Sequence, residues 1–215
     1  PTKDPALHSF SDDFESGVEA WALDGWASVS ESTTDEGVTV DNTVLMTTMP
    51  QSQASVVAFN EADVSISASY RLDAGNTALV ALRSGENALQ VMFNAFGSAR
   101  LYVGDEIVAT SSTTPAPDAE PTWFDFSITA VGDVVVVAVN GADSIIYQGA
   151  MSQEAGSVFF LSGINNEGAV ALDDVTLEFV DASTFVMPVI PTPSATPVPT
   201  ELPATSLPDD SNTDD

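Results

Sequence analysis

The feature that most constrains the fold is a strict alternation of apolar and polar residues along Asp63–Leu72, which reads DVSISASYRL. Apolar side chains occupy every second position from Val64 to Leu72, and serines or Arg71 occupy the positions between them. Successive side chains of a β-strand point to opposite faces of the sheet. A period of two along this whole stretch therefore predicts a strand with one buried and one solvated face.

Shorter runs of the same kind recur along the chain, with turn sequences between them. They are Val38–Val40, Val44–Met46, Ala54–Phe59, Ala78–Leu82, Leu89–Phe93, Arg100–Val103, Phe124–Ala130, Val134–Val139, Ser144–Tyr147, Ser157–Leu161 and Val170–Phe179. Asn140-Gly141 is the strongest hairpin signal, because Asn-Gly tolerates the positive φ that a type I′ turn requires. Many short strands joined by tight turns predict an all-β sandwich or barrel, and helix signals are almost absent.

The sequence predicts three parts. An N-terminal arm at residues 1–8 precedes one β domain at residues 9–181, and residues 182–215 form a tail rich in proline, serine, threonine and acidic residues. Proline fixes φ and lacks the amide hydrogen that a sheet needs, so this tail is expected to be an extended chain. Serine and threonine beside proline also suit O-glycosylation, which predicts a glycoprotein.

The charge balance is strongly acidic, with 32 Asp and Glu against four Lys and Arg and a formal net charge of −28. Such a charge repels phosphate backbones and anionic lipid head groups, so we expect no nucleic-acid partner. No stretch approaches the ~18 apolar residues of a spanning helix, so we expect no membrane insertion. The absence of cysteine excludes a disulfide framework and a cysteine nucleophile.

The start and the composition of the chain together suggest a location. The chain begins at Pro1 without a signal peptide, and the scarcity of Lys and Arg leaves few sites for trypsin-like proteases. We therefore expect a secreted, extracellular or cell-surface protein whose leader has already been removed.

Several segments, taken in order, resemble the concanavalin A-like lectin/glucanase superfamily, which includes laminin-G-like domains, here in a secreted bacterial protein. The opening FSDDFESGVEAWALDGWASVSE is similar to the family's first strand, WFDFSI followed by VAVNG is similar to its Trp strand and hairpin, and LDDVTL is similar to its closing strand. The resemblance covers Phe10 to Phe179. It implies a two-sheet antiparallel jelly roll whose first and last strands lie side by side, but no single function.

Catalytic residues are not apparent. Glycan hydrolases of the resembled family carry a Glu-x-Asp-x-x-Glu strand, of which only Glu178-Phe-Val-Asp181 keeps a part. Asp173 and Asp174 are adjacent, so they are expected to face opposite sides of a strand. The single histidine, His8, precedes the first strand, which argues against a Ser-His-Asp triad. The sequence therefore predicts a protein that is not an enzyme.

Calcium is the one cofactor that the sequence suggests, because hard cations bind carboxylate oxygens. Acidic residues near the start would meet Asp173 and Asp174 near the end if the two strands pair, and the resembled family implies a structural Ca²⁺ in a similar place. The candidate ligands are Asp13, Glu15 and Asp173. The alternative is that these carboxylates cap turns and stay solvated.

Carbohydrate binding would need exposed aromatic side chains with polar groups nearby. Trp26 and Tyr102 are the candidate platforms, whereas Trp21 and Trp123 are expected to be core aromatics. Arg83 and Arg100 are either ion-paired surface residues or contacts for a carboxylate, and the sequence does not separate these interpretations.

Self-assembly is the leading functional hypothesis. Val134–Val139 is apolar on both faces, as are Leu89–Phe93 and Val158–Leu161, so loops or another subunit must cover the outer faces. The candidate assembly residues are Val134, Val136, Val137, Phe185, Val186, Val189 and Ile190. We therefore expect a non-enzymatic, extracellular structural or adhesive protein that self-associates into a cell-surface layer or filament. The alternative is a lectin-like carbohydrate-binding module with a linker tail.

Overall fold

A computed structural model describes residues 8–35, 38–111 and 122–188. Its described residues form strands and no helix, which confirms the all-β prediction. In chain order the strands are β1 (Ser9–Asp12), β2 (Trp21–Asp24), β3 (Ala27–Asp35), β4 (Val38–Thr47), β5 (Gln53–Val56), β6 (Val64–Leu72), β7 (Thr77–Leu82), β8 (Leu89–Asn94), β9 (Ala99–Val103), β10 (Glu106–Thr110), β11 (Phe124–Val131), β12 (Val134–Val139), β13 (Ala142–Gln148), β14 (Phe159–Ser162) and β15 (Val170–Phe179). In this part of the chain there is accordingly no helix that a bilayer would accommodate as a span.

The strands form two antiparallel sheets that pack face to face as a sandwich. Sheet I has the order β13-β12-β11-β6-β15-β4-β3, with β1 also paired to β15. Sheet II has the order β10-β9-β8-β7-β14-β5-β2. Neighbouring strands in both sheets are far apart in sequence at several points, which is typical of a jelly roll and not of a simple meander.

The first and last strands lie side by side, as the family resemblance implies. The early part of β15 pairs with β4, from Val170 to Leu172. Its later part pairs with β1, where Leu177 lies opposite Phe10 and Val175 opposite Asp12. The strands in the described part of the chain lie between Ser9 and Phe179, and the predicted tail lies outside the described residues from residue 189 onward.

The core lies between the sheets and follows the alternation seen in β6. Val64, Ile66, Tyr70 and Leu72 are fully buried, whereas the serines between them face outward. Tyr70 stacks on Phe126 with ring centroids 4.9 Å apart. Burial raises the pKa of the Tyr70 hydroxyl well above its usual range, so this group stays neutral in the folded protein.

Arg83 joins the two sheets at one end of the sandwich, directly after β7. Its side chain is completely buried. The guanidinium donates hydrogen bonds to the carbonyl oxygens of Ala62 at 2.8 Å, Gly132 at 2.8 Å and Ser152 at 2.9 Å. It also lies 3.4 Å from the Asp63 carboxylate. Of the two interpretations of Arg83, the structure therefore supports ion pairing, but in the interior and not at the surface.

Candidate functional site

The predicted metal ligands follow β1 and lie on β15, and the structure brings only some of them close to one another. Pairing of β1 with β15 brings the Asp12–Glu15 segment near Asp173. The Glu15 carboxylate accepts hydrogen bonds from the backbone NH of Thr43 at 2.6 Å and from its hydroxyl at 3.3 Å. The exposed Asp13 accepts one from the Glu15 NH at 3.2 Å. The Asp13 carboxylate thus caps a turn, and the Glu15 carboxylate binds Thr43 in the interior of β4.

Asp173 is the buried member of the predicted metal set. One carboxylate oxygen accepts a hydrogen bond from the Asn42 amide at 2.7 Å and the other from the Asp174 NH at 2.8 Å. Burial raises the pKa of Asp173, the nearby charges of Asp174 and Glu15 raise it further, and the two hydrogen bonds oppose these effects. Within residues 8–35, 38–111 and 122–188, no group of three or more acidic or His side chains has metal-binding geometry. The calcium site stays a prediction.

Asp173 and Asp174 do not face opposite sides of the sheet, so that expectation is wrong. The pairing of β15 with β6 shifts register between Asp173 and Thr176, and Asp174 adopts a positive φ of 52°. Such a β-bulge adds one residue and rotates the side chains that follow it. Asp174 therefore joins Ser67, Ser69 and Asp125 around a shallow depression on the outer face of sheet I.

Removing the buried charge of Asp173 is expected to stabilise the fold at neutral pH. Because the folded protein holds the pKa of Asp173 above its unfolded value, the ionised form destabilises the fold, and this cost disappears as pH falls through the raised pKa. Asp173→Asn should raise the melting temperature at pH 7, by about 2–4 °C for each kcal/mol gained in a chain of this size. The gain should vanish at a pH below the ordinary aspartate pKa of about 3.9.

Thermal melts at both pH values test this expectation. The exposed carboxylate of Asp143 on β13 provides a matched control, since Asp143→Asn removes the same charge without burial. A lower melting temperature for Asp173→Asn than for the unchanged protein at pH 7 would contradict it.

The two tryptophans near the start of the chain belong to the core and not to a binding face. Trp26 is only 5% exposed, so its ring is not the sugar platform that the sequence predicts. Trp21 is also buried and donates a hydrogen bond from its indole NH to Asp12 at 2.9 Å.

Trp123, in contrast, is half-buried on the outer face of sheet I, where the guanidinium of Arg71 lies 5.0 Å from the centre of its ring. The prediction that Trp123 is a core aromatic is therefore wrong.

The predicted assembly residues do not form a common exposed surface. Val134 and Val137 are 2% and 0% exposed, so they are unavailable to a second copy of the chain. Val137 lies between Ile128 and Ile145, inside the sandwich, and Val136 is half-buried on the outer face.

The predicted assembly residues near the C-terminus differ in exposure: Phe185 is half-buried and Val186 is 85% exposed. Val189 and Ile190 lie outside the described residues.

Tyr102 is the predicted site residue that the structure does place on an accessible face, the outer face of sheet II. Directly paired residues on β10, β9, β8, β7 and β14 form a row of side chains that crosses the strands of this face. In that order they are Ile107, Tyr102, Gln90, Ala81 and Phe159. Every member is half-buried or exposed.

A second row runs parallel to the first. It contains Thr110, Arg100, Met92, Leu79 and Leu161. We call these two rows together the aromatic face. Its side chains combine two aromatic rings and several aliphatic groups with the polar ends of Gln90 and Arg100, a composition that is typical of small-molecule sites.

The shape of the aromatic face follows from its registers. Tyr102 and Phe159 lie three strand spacings apart, which is about 14 Å. Between them lie Gln90 and the small side chain of Ala81.

A depression of about 300 Å³ opens beside Arg100 and Met92 of the second row. Its lining residues are Thr77, Met92, Asn94, Ser98, Ala99, Arg100, Thr110 and Ser111. Asn94 uses its side-chain oxygen to accept hydrogen bonds from the NH groups of Phe96 and Ser98, both at 3.0 Å. Within the described part of the chain, its amide NH₂ and the side chains of Gln90 and Arg100 have no partner, so several donors remain free on this face.

Two further depressions are more acidic. One, of about 460 Å³, lies beside β1 and is lined in part by Asp12, Asp13 and Glu19. The other, of about 340 Å³, is the one that contains Asp125 and Asp174 on sheet I. The first also contains the half-buried ring of Phe10, whereas the ring of Phe126 in the second is buried.

The apolar character of β8 and β14 is visible in the sequence, but no sequence pattern relates these strands to Tyr102. Both strands have apolar residues at their outward positions, Met92 on β8 and Phe159 and Leu161 on β14. Only the strand order of sheet II shows that these residues share one face with Tyr102 and Arg100.

Comparison with solved structures finds the same fold in proteins of low sequence identity. A Crh5 transglycosylase in complex with NAG matches with a TM-score of 0.55 and 14% identity, covering 85% of this chain and 88% of that one. A Bacillus subtilis protein of unknown function with a galectin-like fold matches with a TM-score of 0.54 and 11% identity, covering 80% and 95%. A glycosidic hydrolase matches with a TM-score of 0.51 and 7% identity, covering 80% and 96%.

These likenesses establish a shared β-sandwich fold. At such identities they show the fold alone. No protein-family model matches the sequence, and no curated protein matches it.

Proposed function

We propose that the protein is a non-catalytic carbohydrate-binding module whose ligand lies on the aromatic face of sheet II. The observation that carries this proposal is the row in which Tyr102 and Phe159 flank Gln90 and Ala81, with free hydrogen-bond donors beside it. The main sequence hypothesis was self-association through the β12 valines and the segment at Phe185–Ile190. It loses the support of Val134 and Val137, which are buried.

The chemistry of the aromatic face suits a sugar. The apolar faces of sugar rings pack on aromatic side chains, and the rigid ring of Tyr102 loses little conformational entropy on binding. Hydroxyl groups of the sugar would accept hydrogen bonds from the free amide of Gln90 and donate to its oxygen. Apolar contact then supplies affinity while a few polar groups fix orientation.

The same strands offer little for catalysis. Retaining and inverting glycosidases both need two carboxyl groups on either side of the scissile bond. β7, β8, β9 and β14, which form the centre of the aromatic face, contain no aspartate or glutamate. This composition supports binding without hydrolysis.

The shared fold is consistent with this proposal. The transglycosylase was solved with NAG, and another match has a galectin-like fold. A module that binds extracellular glycans would also suit the expected secretion and a linker-like tail, which remain part of the proposal.

Tyr102→Ala should weaken binding to the preferred glycan at least tenfold, about 1.4 kcal/mol, because the variant removes the ring on which the sugar packs. A glycan array identifies the ligand, and isothermal titration of the full chain measures its affinity. Trp123→Ala is a matched control, since it removes a half-buried ring from the outer face of the other sheet. It should leave glycan affinity unchanged.

Analytical ultracentrifugation of the same proteins separates binding from assembly. The proposal expects a chain that stays monomeric while it binds sugar. It would be contradicted by a protein that binds no glycan but forms oligomers that Tyr102→Ala dissociates, because the aromatic face would then be an interface between copies.

A further inference from the structure

Arg100 differs from the other described arginines in its lack of a partner. Arg71 forms a bidentate pair with Glu31, at 2.8 and 2.5 Å, and Arg83 is enclosed by Asp63 and three carbonyl groups. Arg100 has no ion pair and no side-chain hydrogen bond among the described residues, although the chain contains 32 acidic residues. An unpaired cation in a protein of net charge −28 needs an explanation.

The surroundings of Arg100 place this cation in the proposed binding face. It lies opposite Met92 and Thr110 in the strand registers and lines the depression of about 300 Å³ together with Asn94. Tyr102 is two residues further along β9, on the same face. β7, β8 and β9 contribute no carboxylate here, so the guanidinium is a local positive charge beside an aromatic ring.

We propose that Arg100 pairs with the carboxylate of an acidic sugar, such as a uronic acid, while an adjoining sugar ring packs on Tyr102. This inference rests on the proposed carbohydrate-binding function and specifies its ligand class. A guanidinium presents parallel NH donors that match the two oxygens of a carboxylate, and such charge-assisted pairs are among the stronger hydrogen bonds. The free amide of Asn94 offers a further donor in the same depression.

The charge of the whole protein limits the ligand further. A net charge of −28 repels a polyanion, whereas one carboxylate meets mainly the local field of Arg100. The expected ligand is therefore a short oligosaccharide with a single acidic residue, and not a uniformly charged polysaccharide.

The test uses a matched pair of oligosaccharides, one that ends in a uronic acid and its carboxyl-reduced, neutral counterpart. Isothermal titration of the full chain should give at least tenfold tighter binding of the acidic member. In Arg100→Gln the ratio of the two affinities should fall to about one, and in Arg100→Lys it should be intermediate, because lysine keeps the charge but loses the bidentate geometry. Arg71→Gln, which removes a cation from sheet I, should keep the ratio of the unchanged protein.

The outcomes separate this inference from the proposed function. Equal affinity for both oligosaccharides, with Tyr102→Ala still weakening both, would overturn the acidic ligand and leave carbohydrate binding standing. Preference for a sulfated oligosaccharide over the carboxylated one would also overturn the assignment of a carboxylate. An absence of binding to any glycan would overturn the proposed function itself.

Discussion

Replacing Arg83 with methionine is expected to lower the free energy of unfolding by about 3–5 kcal/mol, a large part of the stability of a single domain. The guanidinium is fully buried and satisfies carbonyl groups of Ala62, Gly132 and Ser152 as well as the Asp63 carboxylate. Methionine has a similar length but donates no hydrogen bond. The variant therefore leaves these acceptors buried or reorganised at the junction of the two sheets.

Arg71→Met is the matched control for this prediction. Arg71 also contacts a carboxylate, that of Glu31, but its side chain is 30% exposed on the outer face of sheet I. Exposed ion pairs contribute about 0–1 kcal/mol because water and salt screen them. Urea denaturation followed by tryptophan fluorescence measures both variants. Equal losses in Arg83→Met and Arg71→Met would show that Arg83 does not join the sheets as described.

Tyr70→Ala is expected to cost about 3–5 kcal/mol, which is typical of removing a large side chain from a packed core. Tyr70 is fully buried in the middle of β6. Its ring lies 4.9 Å from that of Phe126 and 6.1 Å from that of Phe93, so its loss opens a cavity between the sheets and removes aromatic contacts.

Tyr70→Phe separates the ring from its hydroxyl. The hydroxyl donates a long hydrogen bond of 3.4 Å to the Leu79 carbonyl, so its removal should cost about 1 kcal/mol or less. Both variants are measured by urea denaturation at neutral pH. If Tyr70→Ala is no more destabilising than Tyr70→Phe, the aromatic cluster does not provide the packing energy assigned to it.

The sequence predicted the strands that have a neighbouring strand on each side, and it missed some strands at the sheet edges. β6, β11 and β12 have two neighbours each and carry the apolar pattern that a buried face requires. β3 and β10 lie at sheet edges, and their sequences contain few core residues. An edge strand needs only one neighbour, so its sequence is less constrained by burial and its period is weaker.

The hairpin at Asn140-Gly141 is a case in which the local sequence is sufficient to predict the backbone conformation. Both residues have positive φ, 50° and 75°, and they connect β12 directly to β13. The bulge at Asp174 shows the opposite case. Its sequence is compatible with a regular strand, and only pairing with β6 over a shifted register places its side chain on the same face as Asp125.

The candidate site could be found only in part. Tyr102 was predicted as a platform from its residue type, but Trp26 was predicted in the same way and is buried. Residue type does not distinguish the two, because aromatic side chains serve both cores and binding sites. Phe159 has no sequence signal that links it to Tyr102, since β14 and β9 are joined through β7 and β8 in the sheet and not through the chain.

The alternation of apolar and polar residues was sufficient to predict β-strands and the inward side of most of them, because both depend on nearest neighbours along the chain. The assembled sheets were needed to show which outward side chains lie next to one another, which described arginine has no ion pair, and which valines are enclosed. Strand order in a jelly roll is set by packing between distant segments, and a local alternation of side chains contains no record of that order.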